Sequence, residues 1–285
     1  MAARRDAAAG PAPMVSRPVP ADWLSLRRQA DHTAREAALP LVAEAVAALG
    51  AEDAPVRVID VGAGTGSNQA WLADRLVPLE QHWILVDHDA DLIDAVDPVA
   101  PTSVSSLTRR IATVAELPDI VAEDEGPVLF TCAALLDLLS PADAAVLVDA
   151  IARTGSAALL SLSVTGAVSI DPPHPADTAI TDAFDAHQRR DDLLGPDAVD
   201  HVAGLLRERG QRVRVAETPW RLDAAEQAAL VQRYLHDRAD VAIEHDLALA
   251  DLVTAWREER QAQIDRGALV VHVGHADILS LPATA

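Results

Sequence analysis

The sequence predicts an α/β fold built on a doubly wound, mostly parallel sheet of seven strands. Three observations predict it. Short apolar runs typical of buried strands alternate with segments of helical periodicity, the first such run ends in a glycine-rich turn that opens a helix, and half of the 285 residues are hydrophobic. Because parallel strands need crossover helices on both faces of the sheet, this alternation favours double winding.

The chain before the first strand divides into a tail and a helical cap. Residues 1–20 are rich in Ala and Pro and lack an apolar segment, which predicts a flexible tail and not a signal peptide. Between residues 21 and 50, apolar residues recur near helical spacing, Pro40 interrupts them, and Gly50 provides an end signal. This pattern predicts an N-terminal cap made of one kinked helix or two helical pieces.

Residues 51–285 are predicted to form the main domain. Its seven strands are predicted at 56–62, 82–87, 107–114, 127–133, 157–164, 212–218 and 268–275. Helices are predicted at about 68–79, 91–96, 140–155 and 196–209, with a loop rich in Pro and Asp after the fifth strand. Two more helices between 223 and 266 interrupt the alternation, and we expect residues 219–266 to form a helical lid.

Charge and composition exclude several classes of partner. The net charge is −21, all 23 basic residues are arginines, and we interpret the arginine clusters at 27–28, 109–110 and 189–190 as solvated faces flanked by acids, so the surface should repel the phosphates of nucleic acids. The chain has a single cysteine and no apolar run that approaches the length of a membrane span. We therefore expect a cytoplasmic protein that binds neither nucleic acid nor membrane. The sequence carries no signal for an oligomeric state.

The most informative stretch is VIDVGAGTGSN at residues 58–68. Here a strand carrying Asp60 ends at Gly62, and glycines follow at positions 64 and 66. Without Cβ atoms the chain can turn sharply, and a bound cofactor can approach the backbone amides closely. The dinucleotide motif GxGxxG fails in both registers, because Ser67 and Gln69 occupy the positions of the third glycine.

The remaining spacing, GxGxG from Gly62 through Gly64 to Gly66 after Asp60, resembles motif I of the class I S-adenosylmethionine-dependent methyltransferases. The next predicted strand ends in Asp87, 21 residues after Gly66. The resemblance implies that this acid binds the ribose hydroxyls, since a carboxylate can accept two hydrogen bonds from a diol. It also implies S-adenosyl-L-methionine as the cofactor and an antiparallel last strand.

The resemblance implies further cofactor contacts. Glu116, after the third strand, would lie near the adenine, although it is also a plausible surface acid. The end of the fourth strand would contact the methionine moiety through Thr131, Cys132 and Ala133. Asp31 and Arg35 share one helical face at spacing i, i+4. They either form a surface ion pair, or Arg35 reaches the methionine carboxylate or the substrate.

The acceptor is harder to predict, because methyl transfer requires alignment more than covalent machinery. The helices after residue 223 resemble the lid of small-molecule methyltransferases, so we expect a small-molecule substrate. Candidate substrate and catalytic residues follow the fifth and sixth strands, namely His174, His187, Gln188, Arg189 and Trp220. His187 is the favoured general base because imidazole titrates near neutrality, unless it faces solvent from a helix. Trp220 either stacks on a flat acceptor or holds the lid.

No metal site is expected. His272 and His275 are three residues apart on a predicted strand and so face opposite sides of the sheet. In an antiparallel last strand, His275 would also lie at the end remote from the cofactor. Two alternatives to a methyltransferase stay open: an NAD(P)-dependent oxidoreductase, which the missing third glycine disfavours, and a non-catalytic protein that binds S-adenosylmethionine.

Overall fold

The computed structural model describes residues 19–50, 54–97, 101–123 and 126–283. Apart from Val19 and Pro20, the predicted flexible tail lies outside these residues. The strands are β1 (Val56–Val61), β2 (Gln81–Asp87), β3 (Val104–Ile111), β4 (Val128–Ala133), β5 (Ala157–Asp171), β6 (Arg212–Glu217), β7 (Trp220–Asp223) and β8 (Val270–Leu281). The α-helices are α1 (Ala21–Ala34), α2 (Leu39–Leu49), α3 (Ser67–Leu72), α4 (Ala90–Asp94), α5 (Leu117–Ala122), α6 (Pro141–Arg153), α7 (Asp177–Gln188), α8 (Ala198–Glu208), α9 (Ala224–His245) and α10 (Ala250–Asp265).

The strands form one sheet in the order β3-β2-β1-β4-β5-β8-β6. Strands β1 to β5 pair in parallel, and β8 runs antiparallel between β5 and β6. The predicted fold class, a doubly wound and mostly parallel sheet with an antiparallel last strand, is confirmed. It is the fold that the resemblance to class I methyltransferases implies. One short additional strand, β7, pairs with the first residues of β8.

Burial on both faces explains why the central strands read as continuous apolar runs. All six residues of β1 are buried. Ile59 and Phe130 contribute to the core on one face, together with α6 and α8, whereas Val58 and Leu129 contribute to the core on the other face, together with α2 and α3. Side chains of neighbouring residues on a strand point to opposite faces, so each central strand supplies both layers and is held rigidly in place.

The fifth strand is longer than predicted. It continues past residue 164 to Asp171, which pairs with Val270 at the start of β8, and part of the segment predicted as a loop forms α7. The pairing with β8 has irregular register near Leu162 (φ 55°), before the extension, and near Gly166 (φ 76°), within it, and both residues have left-handed backbone. The pairing partner is about a hundred residues away in the sequence, so local patterning could not reveal the extension.

A third core lies beyond the edge of the parallel strands, where α1, α7, α9 and α10 pack against the extended β5, β7 and β8. Its buried members include Trp220, Leu235, Trp256 and Val271. Residues 220–223 belong to β7, so the helical layer predicted from residue 219 begins at Ala224. Among the described helices, none is both long and apolar enough to cross a membrane.

Candidate functional site

The turn between β1 and α3 needs glycine for two reasons. Gly62, Gly64 and Gly66 all have left-handed backbone, with φ of 67°, 52° and 80°. A Cβ atom at Gly62 would lie 2.8 Å from Cδ1 of Leu135, and one at Gly66 would lie 2.8 Å from Cγ1 of Val96. Both the conformation and the lack of space therefore exclude larger residues. The turn lies at the carboxyl edge of the sheet, where ligands of such folds bind, and the amides of Gly62, Gly64 and Gly66 are hydrogen-bonded to the Val86 carbonyl, the Asp87 carboxylate and the Ala63 carbonyl.

Asp87 at the end of β2 faces this turn. Its Oδ2 atom accepts a hydrogen bond of 2.7 Å from the Gly64 amide, and its Oδ1 atom accepts one of 2.9 Å from the Asp89 amide. Each carboxylate oxygen has a second lone pair, so Asp87 can still accept hydrogen bonds from a ligand. The N-cap of α4 is Asp89, whose side chain accepts from the amides of Asp91 and Leu92. Asp87 is thus not occupied with capping this helix.

Asp60 is completely buried near the end of β1. Its Oδ1 atom accepts a hydrogen bond of 2.6 Å from Nδ2 of Asn68, while Oδ2 has no hydrogen-bond partner among the described residues. Burial raises the pKa of Asp60 to about 7, against the opposing effects of the Asn68 hydrogen bond and the charge of Arg35. A buried carboxylate oxygen without a partner fits a positively charged or hydrogen-donating ligand group.

Arg35 follows α1 and is buried beside the same turn. Its Nη2 atom donates to Oγ of Ser161 at 3.1 Å, its guanidinium lies 3.9 Å from the ring centroid of Trp71, and its Nε is 3.8 Å from Oδ2 of Asp277. Arg35 also lines a small cavity of 50 Å³ with residues of the glycine turn. Burial lowers the pKa of Arg35, which the charge of Asp277 partly offsets.

One of the two interpretations of Asp31 and Arg35, a surface ion pair between them, is wrong. Asp31 instead binds Arg27, one turn earlier on α1, with Nε to Oδ2 at 2.7 Å. It also accepts a hydrogen bond of 3.1 Å from Nε1 of Trp220. Because Asp31 is engaged in this way, the guanidinium of Arg35 faces the glycine turn and Asp277.

A cleft of 290 Å³ opens between the glycine turn and Asp87. Its other side is formed by Ala133 at the end of β4 and by residues that follow this strand, including Ala134, Asp137 and Leu138. Ala134 has φ of 54°, a left-handed conformation that is uncommon for alanine and that concentrates at functional sites. Burial raises the pKa of Asp137. The cleft therefore lies at the carboxyl edge beside Asp87, whereas Asp60 is completely buried on β1, two residues before Gly62, and does not line it.

A second cavity of 230 Å³ continues from this cleft. We call the first the cofactor cleft and the second the acceptor pocket. The two share five lining residues, Trp23, Arg27, Val164, Gln188 and His275. The acceptor pocket has aromatic walls formed by Trp23, Phe184, Trp220 and Tyr234. A ligand in the cleft and a second molecule in the pocket would therefore meet at the shared residues.

The expected remote position of His275 is wrong. Because β5 and β8 both extend beyond the parallel strands, His275 pairs with Val164, past the point where β4 ends, and lines both cavities. Its Nδ1 atom lies 3.1 Å from the carbonyl oxygen of Val273. A carbonyl only accepts, so Nδ1 donates and Nε2 carries the lone pair. Burial, assisted by the charge of Arg27, lowers the pKa of His275 to about 4, so the ring is neutral at pH 7.

Other residues singled out from the sequence fall at different distances from the two cavities. Ala133 lines the cofactor cleft, Gln188 lines both cavities, and Trp220 lines the acceptor pocket. Thr131 and Cys132 are buried beneath the cleft, and burial raises the pKa of the Cys132 thiol, which makes it unreactive.

Besides Arg35, Asp60, Gly66, Thr131 and Cys132, four more predicted residues lie outside the linings of both cavities, namely Glu116, His174, His187 and Arg189. Glu116 is exposed and caps its own short helix by accepting the Thr113 amide at 2.8 Å. His187 is buried on α7, where burial lowers its pKa, and its Nδ1 accepts a hydrogen bond of 2.7 Å from Arg190. Arg189 forms a surface ion pair of 2.6 Å with Asp197, and His174 lies 3.4 Å from Glu259.

A metal site and the concavity at the opposite edge of the sheet were also considered as functional sites. Among the described residues, no cluster of three or more His, Cys, Asp or Glu side chains is arranged to hold a metal ion. A concavity of 500 Å³ lies at the opposite edge of the sheet, beside Arg57 and Val128 near the starts of β1 and β4. This edge lacks the glycine turn and the carboxylates described above.

Replacing Asp60 with asparagine is expected to stabilise the protein at pH 8. Native Asp60 keeps a proton that the unfolded chain releases, so stability falls as pH rises from 3.8 to about 7. The asparagine side chain would keep an oxygen for Asn68 without the buried charge. We expect a gain on the order of 2 kcal/mol, or roughly 4–8 °C in Tm, that shrinks toward pH 4.

Thermal unfolding of the wild type and this variant at several pH values measures the effect. Asp74→Asn, at an exposed position, is the control and should leave Tm unchanged. A Tm at pH 8 that is equal or lower in Asp60→Asn would contradict the assignment of a costly buried charge.

The chain was also compared with known proteins. No family model and no curated protein matches it. Among solved structures, it is similar to a cyclopropane-fatty-acyl-phospholipid synthase-like protein from Lactobacillus casei, with 15% identity, 90% of this chain and 92% of that chain covered, and a TM-score of 0.49. It is also similar to an S-adenosylmethionine-dependent methyltransferase from Thiobacillus denitrificans in complex with S-adenosyl-L-homocysteine, with 17% identity, coverage of 92% and 99%, and a TM-score of 0.43.

A third similar structure is a cyclopropane synthase from Mycobacterium tuberculosis, with 13% identity, coverage of 91% and 94%, and a TM-score of 0.44. The TM-scores of these three structures are below 0.5. The case for function therefore rests on the residues of this chain.

Proposed function

We propose that this protein transfers a methyl group from S-adenosyl-L-methionine to a small-molecule acceptor. The observation that carries the proposal is the arrangement of the glycine turn with two carboxylates, of which Asp87 lines the cofactor cleft and Asp60 is buried two residues before Gly62. Asp87 faces the glycine turn at 62–66, and the buried Asp60 has an oxygen without a partner among the described residues. S-adenosylmethionine combines a ribose diol with an α-ammonium group, and these are the groups that two such carboxylates would bind.

The residues around the cleft fit this cofactor. The glycine turn would let the cofactor lie against the main chain, Asp87 would accept hydrogen bonds from the diol, and Asp60 would bind the ammonium group. Arg35, which lines the 50 Å³ cavity beside the turn, would bind the methionine carboxylate. When bound, the cofactor supplies an electrophilic methyl group, so the protein must mainly align the acceptor and exclude water.

The acceptor pocket and the helical layer supply those two functions in this proposal. Residues 51–285 form the cofactor-binding domain, residues 21–50 form the cap, and the layer from residue 224 to 266 is the lid. Helix α9 contributes Tyr234, Asp237 and Arg238 to the pocket, so it would cover a bound acceptor. His275, at the junction of pocket and cleft, would accept a hydrogen bond from the acceptor atom that becomes methylated.

The two alternatives are less favoured by specific observations. A dinucleotide-binding enzyme would need a third glycine where Ser67 or Gln69 stands, and Gln69 is completely buried. A non-catalytic binding protein would not need a second pocket that opens into the cofactor cleft, nor a neutral imidazole at their junction. Both features are present here.

Calorimetric titration tests the proposal. We expect S-adenosyl-L-homocysteine to bind with a micromolar dissociation constant and NAD⁺ to give no heat. In Gly62→Ala, affinity should fall at least about tenfold, or ~1.4 kcal/mol, because the new Cβ atom would displace Leu135 and reshape the turn. Tighter binding of NAD⁺ than of S-adenosyl-L-homocysteine would overturn the proposal.

Gly155→Ala is the matched control. Gly155 also has left-handed backbone, with φ of 61° against 67° at Gly62, but a Cβ atom there would meet nothing within 4 Å. Both variants carry a similar conformational cost, and Gly62→Ala adds the clash with Leu135, so its stability should fall further. Affinity should fall in Gly62→Ala alone. Equal affinity in the two variants would separate the glycine turn from ligand binding.

A further inference from the structure

The acceptor pocket combines an apolar, aromatic interior with one unusual cation. Besides its aromatic walls, the pocket is lined by Arg238 of α9, whose side chain is only 4% exposed. The guanidinium lies 4.1 Å from the ring centroid of Phe184. A guanidinium cannot be deprotonated in a protein, so this charge is permanent and largely removed from water.

The hydrogen bonding of Arg238 is incomplete. Its Nη1 atom donates to the Tyr234 hydroxyl at 3.2 Å. Its Nε and Nη2 atoms are buried and have no hydrogen-bond partner among the described residues. These two nitrogens form one edge of the planar guanidinium, whose parallel N–H groups match the two oxygens of a carboxylate. Leaving buried charged donors without hydrogen bonds is costly, so an anion that accepts hydrogen bonds from this edge would be stabilised there.

The two carboxylates that line the pocket do not accept hydrogen bonds from this edge. Asp185 forms an ion pair with Arg238, but its Oδ1 atom lies 3.6 Å from Nη2, beyond hydrogen-bonding distance. Burial raises the pKa of Asp185, against the opposing charge of Arg238. Asp237 instead accepts two hydrogen bonds from Nε of Arg233, at 2.9 and 2.7 Å. Among the described residues that line the pocket, the buried side-chain atoms without a hydrogen bond are therefore the two Arg238 donors.

Resting on the proposed function, we propose that the methyl acceptor is a small aromatic carboxylic acid, with its carboxylate bound by Nε and Nη2 of Arg238. Its ring packs against Trp220 and Phe184. Its hydroxyl or amino group lies toward the cofactor cleft and donates a hydrogen bond to Nε2 of His275. The proposal accounts for the aromatic walls, the unpaired edge of Arg238 and the neutral His275 together.

Three probes of matched shape test this inference by calorimetry on the full chain saturated with S-adenosyl-L-homocysteine. They are 4-hydroxyphenylacetate, its neutral amide and the amine tyramine. We expect the acid to bind at least about tenfold more tightly than the amide, since an unscreened charge-assisted pair is worth about 1.5–3 kcal/mol, and tyramine to bind most weakly. In Arg238→Met the preference for the acid should disappear, while the affinity for S-adenosyl-L-homocysteine stays within about twofold of the wild type.

Two further variants make the test specific. Arg266→Met removes an exposed arginine just after α10 and should keep the wild-type preference. Arg238→Lys keeps the charge but loses the planar edge, so it should keep only part of the preference for the acid. Because this variant retains a buried cation, it separates the loss of carboxylate binding from a folding defect in Arg238→Met.

The inference is overturned if the acid does not bind in the millimolar range, if acid and amide bind equally, or if tyramine binds most tightly, which would assign recognition to Asp185. In each of these cases the proposed function survives as long as S-adenosyl-L-homocysteine binds. Failure of that ligand to bind would instead reject the proposed function.

Discussion

Replacing Arg35 with methionine is expected to destabilise the protein by about 3–5 kcal/mol, because it leaves Asp277 as a buried charge without a cation. Asp277 is 2% exposed and accepts hydrogen bonds from the Leu162 amide at 2.9 Å and from Oγ1 of Thr218 at 2.8 Å. These neutral donors hold the carboxylate but do not compensate its charge. Unfolding in urea measures the loss.

A double substitution identifies the cause of that loss. Arg35→Met combined with Asp277→Asn removes both charges and keeps an amide oxygen for the two donors, so it should recover at least about 1.5 kcal/mol of the stability lost in Arg35→Met alone. No recovery would mean that Arg35 acts by packing on Trp71 and not by pairing with Asp277.

Arg75 provides a matched control on the same aromatic ring. Its guanidinium lies 4.1 Å from the centroid of Trp71, close to the 3.9 Å found for Arg35. Arg75 is more exposed and pairs with Glu36 at 2.6 Å. Because such surface pairs contribute about 0–1 kcal/mol, Arg75→Met should cost no more than roughly that amount. A loss as large as that of Arg35→Met would identify the ring contact as the main source of the stabilisation.

Replacing Asp87 with alanine is expected to weaken S-adenosyl-L-homocysteine binding about 100-fold. Hydrogen bonds to charged groups are worth about 1.5–3 kcal/mol each, and the variant loses two kinds of hydrogen bond at once. It removes the acceptor for the ribose hydroxyls, and it releases the Gly64 amide that Asp87 holds at 2.7 Å. Calorimetric titration of the wild type and the variant measures the change.

The control for this experiment is Asp91→Ala on α4, the helix that follows Asp87. Asp91 is exposed, and its replacement removes the same formal charge from the same region of the surface. The affinity of this variant should stay within about twofold of the wild type. If Asp87→Ala also stays within about threefold, Asp87 does not bind the ribose and the proposed cofactor site is wrong.

The parts of the molecule that sequence could predict are those with local causes. The run from Val58 to Gly66 combines a buried strand with a turn that only glycine fits, and both signals lie within a few residues. Double winding of the parallel sheet follows from the alternation of strands and helices with right-handed crossovers. The resemblance to class I methyltransferases placed Asp87 near the glycine turn, and its carboxylate contacts the Gly64 amide.

The parts that sequence could not predict depend on long-range pairing. The extension of β5 to Asp171 and the short strand β7 exist because both pair with the first residues of β8. No pattern within residues 157–171 reveals that partner. The same pairing moves His275 from the expected remote end to the junction of the two cavities.

One signal for the acceptor pocket was present in the sequence. Tyr234 and Arg238 are four residues apart in a segment of helical periodicity, so they share one face of α9. An aromatic residue and an arginine on one face of a predicted lid helix indicate a surface that could contact a ligand. What the sequence could not show is that this face turns toward Trp220 and His275, because that depends on how α9 packs against β7 and β8.

The continuation of β5 and β8 past the ends of the parallel strands separates two kinds of recognition. Residues on β1, β2 and β4 would hold the methyl donor, whereas this two-stranded ribbon, with α7 and α9 packed on it, shapes the compartment for the second molecule. Substitutions at the ribbon or on its helices could therefore retune which compound is modified while the donor half stays unchanged. Selection or laboratory evolution can act on the choice of compound independently of the shared chemistry.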